Sequence, residues 1–402
     1  MSPRNPLSGL PGHHFLFVPG PTNIPERVLR AMDRPMEDHR SSAFPALTQS
    51  LLRDLTKIFH TVDGRPFIFP ATGSGGWEAA LVNTLSPGDR LLAVRNGQFG
   101  SLFINCAERL GMAVDVIDVE WGEGVPADRI EQALNEDSSH QIKGVLIVHN
   151  ETATGVTSDV AAVRHAMDAA DHPALLYVDG VSSIGSLDFR MDAWGVDVAI
   201  TGSQKGLMLP AGLGIICLSQ KALALVEGAG CSRSFFDLRD MIKANQGGYF
   251  PYTPALSLLF GLRESLDMLL SEGMENVFAR HHRLAEGVRA AVAAWGLEVC
   301  ARKPEWNSDT VTAVMVPEGV DGAKVIDLAF RRHNLALGAG LTKMAGKLFR
   351  IGHMGDLNDL MVLGALGGVE MAMADAGIRV DFGSGVGAAA AYYQATPAPP
   401  RA

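Results

Sequence analysis

Apolar and polar positions alternate in blocks along this chain. Between residues 26 and 255, short consecutive apolar runs, such as "GVLIV" (144–148) and "LLYV" (175–178), recur at intervals. Each is followed by a polar cluster, often with glycine, and then by a segment whose apolar residues return every three to four positions. Runs too short for helices but apolar throughout are what strands buried on both faces look like, and the intervening periodic segments are what covers them. The pattern predicts an α/β layer with a mainly parallel sheet of seven strands, at residues 66–69, 90–94, 113–119, 142–148, 174–178, 196–201 and 214–218. Helices are predicted at 77–85, 101–110, 126–135 and 158–170.

Beyond Thr253 and Pro254 the period lengthens. Residues 255–272 and 274–296 read as long helices, 309–316 as a strand, and 323–333 and 357–376 as further helices, together a smaller α+β unit. Prolines at 3, 6, 11, 19, 21 and 25 deny regular donors to the N-terminal segment, which is expected to be an extended arm suited to lying on a partner subunit. The resulting division is an arm over 1–25, a large domain over 26–255, a small C-terminal domain over 256–384 and, because 385–402 is rich in Gly, Ala and Pro, a loosely ordered tail.

Charge and cysteine usage narrow the function. The formal net charge is −10, with no concentrated basic stretch, which excludes a phosphate-backbone binder of the nucleic-acid kind. Apolar runs stop far short of the roughly 20 residues that span a bilayer, and the proline-interrupted start lacks the apolar core of an export signal. Cys106, Cys217, Cys231 and Cys300 are scattered, with no spacing for a disulfide framework or a metal site, so a reducing cytoplasm is expected.

Parallel sheets gather ligands at the carboxyl ends of their strands, and the polar clusters there carry the candidate chemistry. "TGSGG" (72–76) lies between a strand and a helix, where free amides approached over glycine form an anion site; a plain tight turn is the alternative. Asp179 ends an apolar strand, as a carboxylate for catalysis or as a cap. One strand later "GSQKG" places Lys205, flanked by Gln204, between small residues and an apolar stretch, where a bare ammonium is costly. An amine, an acid and a phosphate cradle on one edge are what pyridoxal phosphate requires. Phe99, in the turn between two glycines, is a candidate to stack on the ring or else a core residue. Arg350, inside the apolar run "LFRIG", would clamp a substrate carboxylate or pair with a structural one.

Seven blocks, "TGSGGWEAAL", "NGQFG", "HNETATG", "VDGVSSIG", "GSQKGLMLPAGLG", "FPYTPA" and "FRIGHMG", run in order through residues 14–376 and together resemble the class V aminotransferases, in particular their glyoxylate-using group. The resemblance implies a pyridoxal-phosphate-dependent transferase of fold type I and a homodimer with active sites at the subunit interface. It implies Lys205 as the Schiff-base lysine and proton shuttle, Asp179 on the pyridinium nitrogen, and Phe99 on the ring. Thr72, Gly73, Ser74 and Gln204 would hold the phosphate, Thr152 would lie near the ring oxygen, and Thr253 would reach the phosphate of the neighbouring subunit. Arg350 would grip the carboxylates of amino donor and keto acid. The implied reaction moves the amino group of a small L-amino acid, serine favoured, to glyoxylate, with alanine and ureidoglycine as alternative donors.

Three other functions compete for these residues. A cysteine desulfurase-like lyase needs an activated cysteine, for which only Cys231 in "GAGCSRS" is a candidate, and histidines where this chain has Gln204 and Phe99. A dinucleotide-binding oxidoreductase lacks its third glycine, Glu78 standing in that place. A non-catalytic carrier of pyridoxal phosphate would have no need of Arg350.

Overall fold

The computed structural model describes residues 11–398. The first ten residues of the expected arm and the last four of the expected tail lie outside the described residues. The chain opens with a short strand, β1 (Phe15–Phe17), crosses to α1 (Glu26–Met32) and α2 (Phe44–Ile58), and then enters the large sheet. Its strands are β2 (Arg65–Pro70), β3 (Arg90–Arg95), β4 (Ala113–Asp118), β5 (Ile142–Val148), β8 (Leu175–Asp179), β9 (Val198–Gly202) and β10 (Leu213–Leu218), in spatial order β2-β10-β9-β8-β5-β3-β4. Only β10 runs against its neighbours. A two-residue ribbon of β6 (Asn150–Glu151) and β7 (Val156–Thr157) projects between β5 and β8.

Alternating residues of these strands enter opposite cores, which is why each strand reads as an unbroken apolar run. One face buries Leu92, Val145, Ile147, Leu176, Val178 and Ile215 against α2, α5 (Ala127–Glu136), α6 (Val160–Ala169) and α9 (Leu256–Glu272). The other buries Leu91, Leu146, Tyr177, Ile200 and Ile216 against α3 (Gly73–Thr84), α4 (Gln98–Arg109) and α8 (Leu238–Gln246); a single turn, α7 (Gln220–Leu223), follows β10. All seven expected strands are present, in the expected mainly parallel sheet flanked by helices.

Two helices begin earlier than their apolar period. The expected helix at 77–85 starts at Gly73, so the glycine cluster is itself the first turn of α3. A Cβ at Gly73 would stand 2.5 Å from Val181 and one at Gly76 2.8 Å from Ile200, so the helix start sits closer to the sheet than any side chain would permit. Likewise α4 starts at Gln98, which moves Phe99 from the expected turn into a helix.

The second layer is a four-stranded sheet in the order β1-β12-β13-β11, formed by β11 (Val311–Met315), β12 (Leu335–Ala339) and β13 (Leu348–Gly352), with β1 of the N-terminal segment parallel to β12. It packs against α10 (Met274–Ala294), α11 (Gly322–His333) and α12 (Asp359–Ala376) around Phe349, Ile351, Val362 and Leu366. The expectation of a loosely ordered tail is corrected. Ser384–Ala395 forms α13, with Tyr393 buried and its hydroxyl donating to the Leu284 carbonyl at 2.9 Å. The buried Glu370 carboxylate of α12 accepts the N–H groups of Gly383, Gly385 and Val386 at the start of α13. An alanine-rich segment has the propensity for a helix, and here distant residues supply the cap and the packing face. Among the described residues no helix is long and apolar enough to cross a membrane.

Candidate active site

The carboxyl ends of β5, β8 and β9 open onto one edge of the large sheet, where the small sheet leans over them. Lys205 lies three residues beyond β9 and is almost completely buried. Its Nζ donates to the carbonyl of Pro19, in the strap that links β1 to α1. Gly20, at φ +115°, passes so close that any side chain there would overlap the lysine. The Thr22 N–H bonds the Gln204 carbonyl at 3.2 Å and fixes the strap to the same loop. Burial, reinforced by the Arg350 charge and opposed by Asp179, pulls the Lys205 amine down to about 8.

Asp179 is the last residue of β8 and is buried, its Oδ1 accepting the Val181 N–H at 2.8 Å. Burial pushes its carboxyl up to about 6, against that N–H, the Lys205 charge and the indole of Trp77. Between β2 and α3, Thr72 is extended and makes no side-chain cap, and among the described residues no other side chain accepts the first-turn N–H groups of α3. The buried Gln204 Oε1 has no partner among the described residues either. A Cβ at Gly202 would lie 2.9 Å from that oxygen and 3.2 Å from the Gly73 nitrogen, so the loop amide and the helix start converge on a spot that only glycine leaves open.

Arg350, in β13, crosses from the small sheet. Its Nε donates to the Ala339 carbonyl and its Nη1 to the Thr152 carbonyl, both at 2.8 Å, and no carboxylate among the described residues pairs with it. Of the two readings of this arginine, the structural ion pair is therefore set aside, and part of the fork remains available. Phe99, in the first turn of α4, is half-buried against the core that contains Trp77 and Phe103. Thr72 and Ser74 are exposed at the mouth. Thr253 is not brought in: it stands exposed on the segment before α9, with no hydrogen bond to these residues.

Three contributors were missed in the sequence. Glu151, next to Thr152, is fully buried and takes the N–H groups of Phe99, Gly100 and Ala153. The Pro19–Gly20 strap and Trp77 also belong here; the glycine between two prolines and the tryptophan after a glycine cluster were the available signals. The cysteines do not join the site. Cys231 is buried and its thiol is pushed up by that burial, which is unsuited to a nucleophile.

A desolvated amine, a carboxylate held beside it and an anion cradle without internal partners can support carbonyl–amine chemistry on a phosphorylated aromatic aldehyde. Residues 14–343 match the family model described as aminotransferase class-V. The chain belongs to the class-V aminotransferases. Members of that family depend on pyridoxal phosphate and act on amino acid and keto acid pairs. The chain is 60% identical over 392 residues, 96% of its length and 98% of the relative's, to serine–glyoxylate aminotransferase of Methylorubrum extorquens. It is 54% identical to L-aspartate–glyoxylate aminotransferase of Paracoccus denitrificans, over 95% of this chain and 97% of that one. The crystal structure of ureidoglycine–glyoxylate aminotransferase from Bacillus subtilis superimposes with a TM-score of 0.89 at 28% identity, covering 96% of this chain and 99% of that chain. As a class-V aminotransferase the chain offers a fitting berth for the cofactor, since the orphaned Gln204 oxygen, the uncapped α3 start and the glycine gap at residue 202 lie together.

Proposed function

We propose that the chain transfers the amino group of a small L-amino acid, serine first, to glyoxylate, giving hydroxypyruvate and glycine, and that it does so with pyridoxal phosphate as a cytoplasmic homodimer. The observation that carries this reading is Arg350, a buried guanidinium that no carboxylate among the described residues pairs with, facing the same sheet edge as a desolvated lysine. The identity to serine–glyoxylate and aspartate–glyoxylate aminotransferases supports glyoxylate as the acceptor and leaves the donor to experiment.

When bound, pyridoxal phosphate would supply a protonated pyridine ring that takes up the electron pair left as the donor's Cα loses its proton. Thr72, Gly73, Ser74 and Gln204 would hold its phosphate, and Thr253, exposed in one chain, would reach the phosphate site of the neighbouring subunit. Phe99 would stack on the ring, Thr152 would lie near its ring oxygen, and Asp179, ionised by the contact, would hold the pyridinium N–H. Lys205 would carry the cofactor at rest and, once freed, would take the proton from Cα and return it. An amine that titrates at about 8 can do both near neutral pH. Arg350 would bind first the carboxylate of the amino donor and then that of the keto acid.

A donor and acceptor panel on the purified protein, with the visible absorbance of the cofactor followed as each donor is added, tests the reading. Serine should change the spectrum and glyoxylate should restore it, with hydroxypyruvate and glycine as products. If no amino acid and keto acid pair exchanges an amino group, the reading is wrong; aspartate or alanine outpacing serine would rename the donor alone.

A further inference from the structure

Glu151 has no exposed surface, ends strand β6 and forms no ion pair among the described residues, yet both of its oxygens are engaged. Oε2 accepts from Phe99 N–H at 2.8 Å and Gly100 N–H at 3.1 Å, and Oε1 accepts from Ala153 N–H at 3.0 Å. Three backbone donors and, among the described residues, no acceptor face it, which favours the ionised carboxylate. Burial, helped by the Asp179 charge, works the other way and pushes the carboxyl up to about 7, so these N–H groups are what keeps the charge. The niche is built for this side chain, since any Cβ at Gly97 would overlap it.

Its partners belong to two functional side chains. Phe99 and Gly100 open α4, where a carboxylate across the first-turn N–H groups both caps the helix and suits its dipole. Ala153 follows Thr152, whose carbonyl holds Arg350 Nη1 at 2.8 Å. One carboxylate thus sets the position of the candidate stacking ring and of the carbonyl that aims the guanidinium. Glu151 is also the negative charge that favours the ionised form of Arg350, whose burial works against it. Because it does so without contact, it leaves the fork open; a carboxylate in direct contact would compete with substrate.

We propose that Glu151 is a positioning residue, which locks Phe99 and Arg350 into one register and balances the arginine's charge from a distance, so that recognition of a substrate carboxylate depends on a side chain that never touches it. This rests on the reading of Arg350 as the substrate grip.

The test uses Glu151→Gln and Glu151→Asp. Glutamine keeps one acceptor but turns an N–H₂ group towards a backbone donor and removes the charge; aspartate keeps the charge and shortens the reach. In Glu151→Gln, KM for the amino acid donor should rise about tenfold while kcat changes less than about threefold, the pattern of lost ground-state binding. The reaction of the cofactor-loaded protein with 2-aminoethanol, the serine skeleton without its carboxylate, should fall less than about threefold, since it loses only the contribution made through Phe99. In the cofactor-free protein, hydrogen exchange at the Phe99 and Gly100 amides should be about tenfold faster in both variants, and Glu151→Asp should recover part of the KM. Unchanged KM together with unchanged exchange at those amides overturns the proposal, as does an equal loss towards 2-aminoethanol. If Glu151→Gln does not fold, the exchange rates in Glu151→Asp decide, faster supporting the assignment and unchanged refuting it. Should the wild-type protein transfer no amino group, the functional reading fails while the amide exchange still reports whether Glu151 holds α4.

Discussion

Two glycine-rich segments of this chain, "TGSGGWEAA" (72–80) and "GSGVGAAAA" (383–391), begin helices of equal length, α3 and α13. At α13 the Glu370 carboxylate takes three backbone N–H groups and also the indole N–H of Trp295 at 3.1 Å, so the helix start is satisfied from within the chain. At α3 no side chain among the described residues caps the start, and the nearby Gln204 oxygen lacks a partner among them as well. The same backbone feature is structural where the fold supplies its partners and available to a ligand where the fold withholds them. Stability is gained at one end of the molecule and given up at the other.

Lys205→Met probes the end that gives stability up. Turnover should fall by about 10⁴-fold, the upper range for a lost proton-transfer group. Meanwhile the cofactor-free protein should become more stable. The Lys205 amine releases its proton at about 8 in the folded chain against an ordinary 10.5, so unfolding takes up a proton between those values. The penalty is therefore present in full below pH 8, on the order of 3 kcal/mol, and fades as pH rises towards 10.5. Denaturant midpoints of wild type and variant should differ at pH 7 and converge near pH 10.5; equal midpoints at pH 7 would show that the lysine is not strained.

Glu370→Ala probes the satisfied end. It should cost about 3 kcal/mol, because buried N–H groups lose their acceptor, while KM and kcat of the protein that remains folded stay at wild-type values. A change in KM instead would join α13 to the active site and dissolve the contrast. The smallest effect is expected from Gly202→Ala, whose methyl group would crowd Gln204 Oε1 and Gly73 N. Cofactor affinity, titrated by absorbance, should drop about tenfold with little change in melting temperature. Unaltered affinity would move the phosphate cradle elsewhere.

Much of the large sheet was legible because strands buried on both faces carry their environment in their own composition, as "LLYV" and "GVLIV" do. The locations of Asp179 and Lys205 were legible for a related reason: charged residues directly after such strands have only the carboxyl edge of the sheet to occupy. The glycines flanking Phe99 read as breakers and suggest a turn, whereas the carboxylate that allows α4 to begin before it, Glu151, lies 52 residues away. The α13 segment reads as a loose tail for the same reason. Glu370 precedes it by a whole connection, and Leu284, which receives the Tyr393 hydroxyl, lies 109 residues upstream.

By itself, then, the order of residues determined the elements whose burial is written into their own side chains, and the sheet edge to which Asp179, Lys205 and the glycine cluster are delivered. Only the tertiary structure decided which polar groups are matched. Among the described residues it left Arg350 without a carboxylate and the α3 start without a cap, while Glu151 and Glu370 each satisfy the opening of a helix from far along the chain. Hydrophobic burial is a property that each residue carries with it, but hydrogen-bond satisfaction belongs to pairs, and the partners here meet only once the chain has folded.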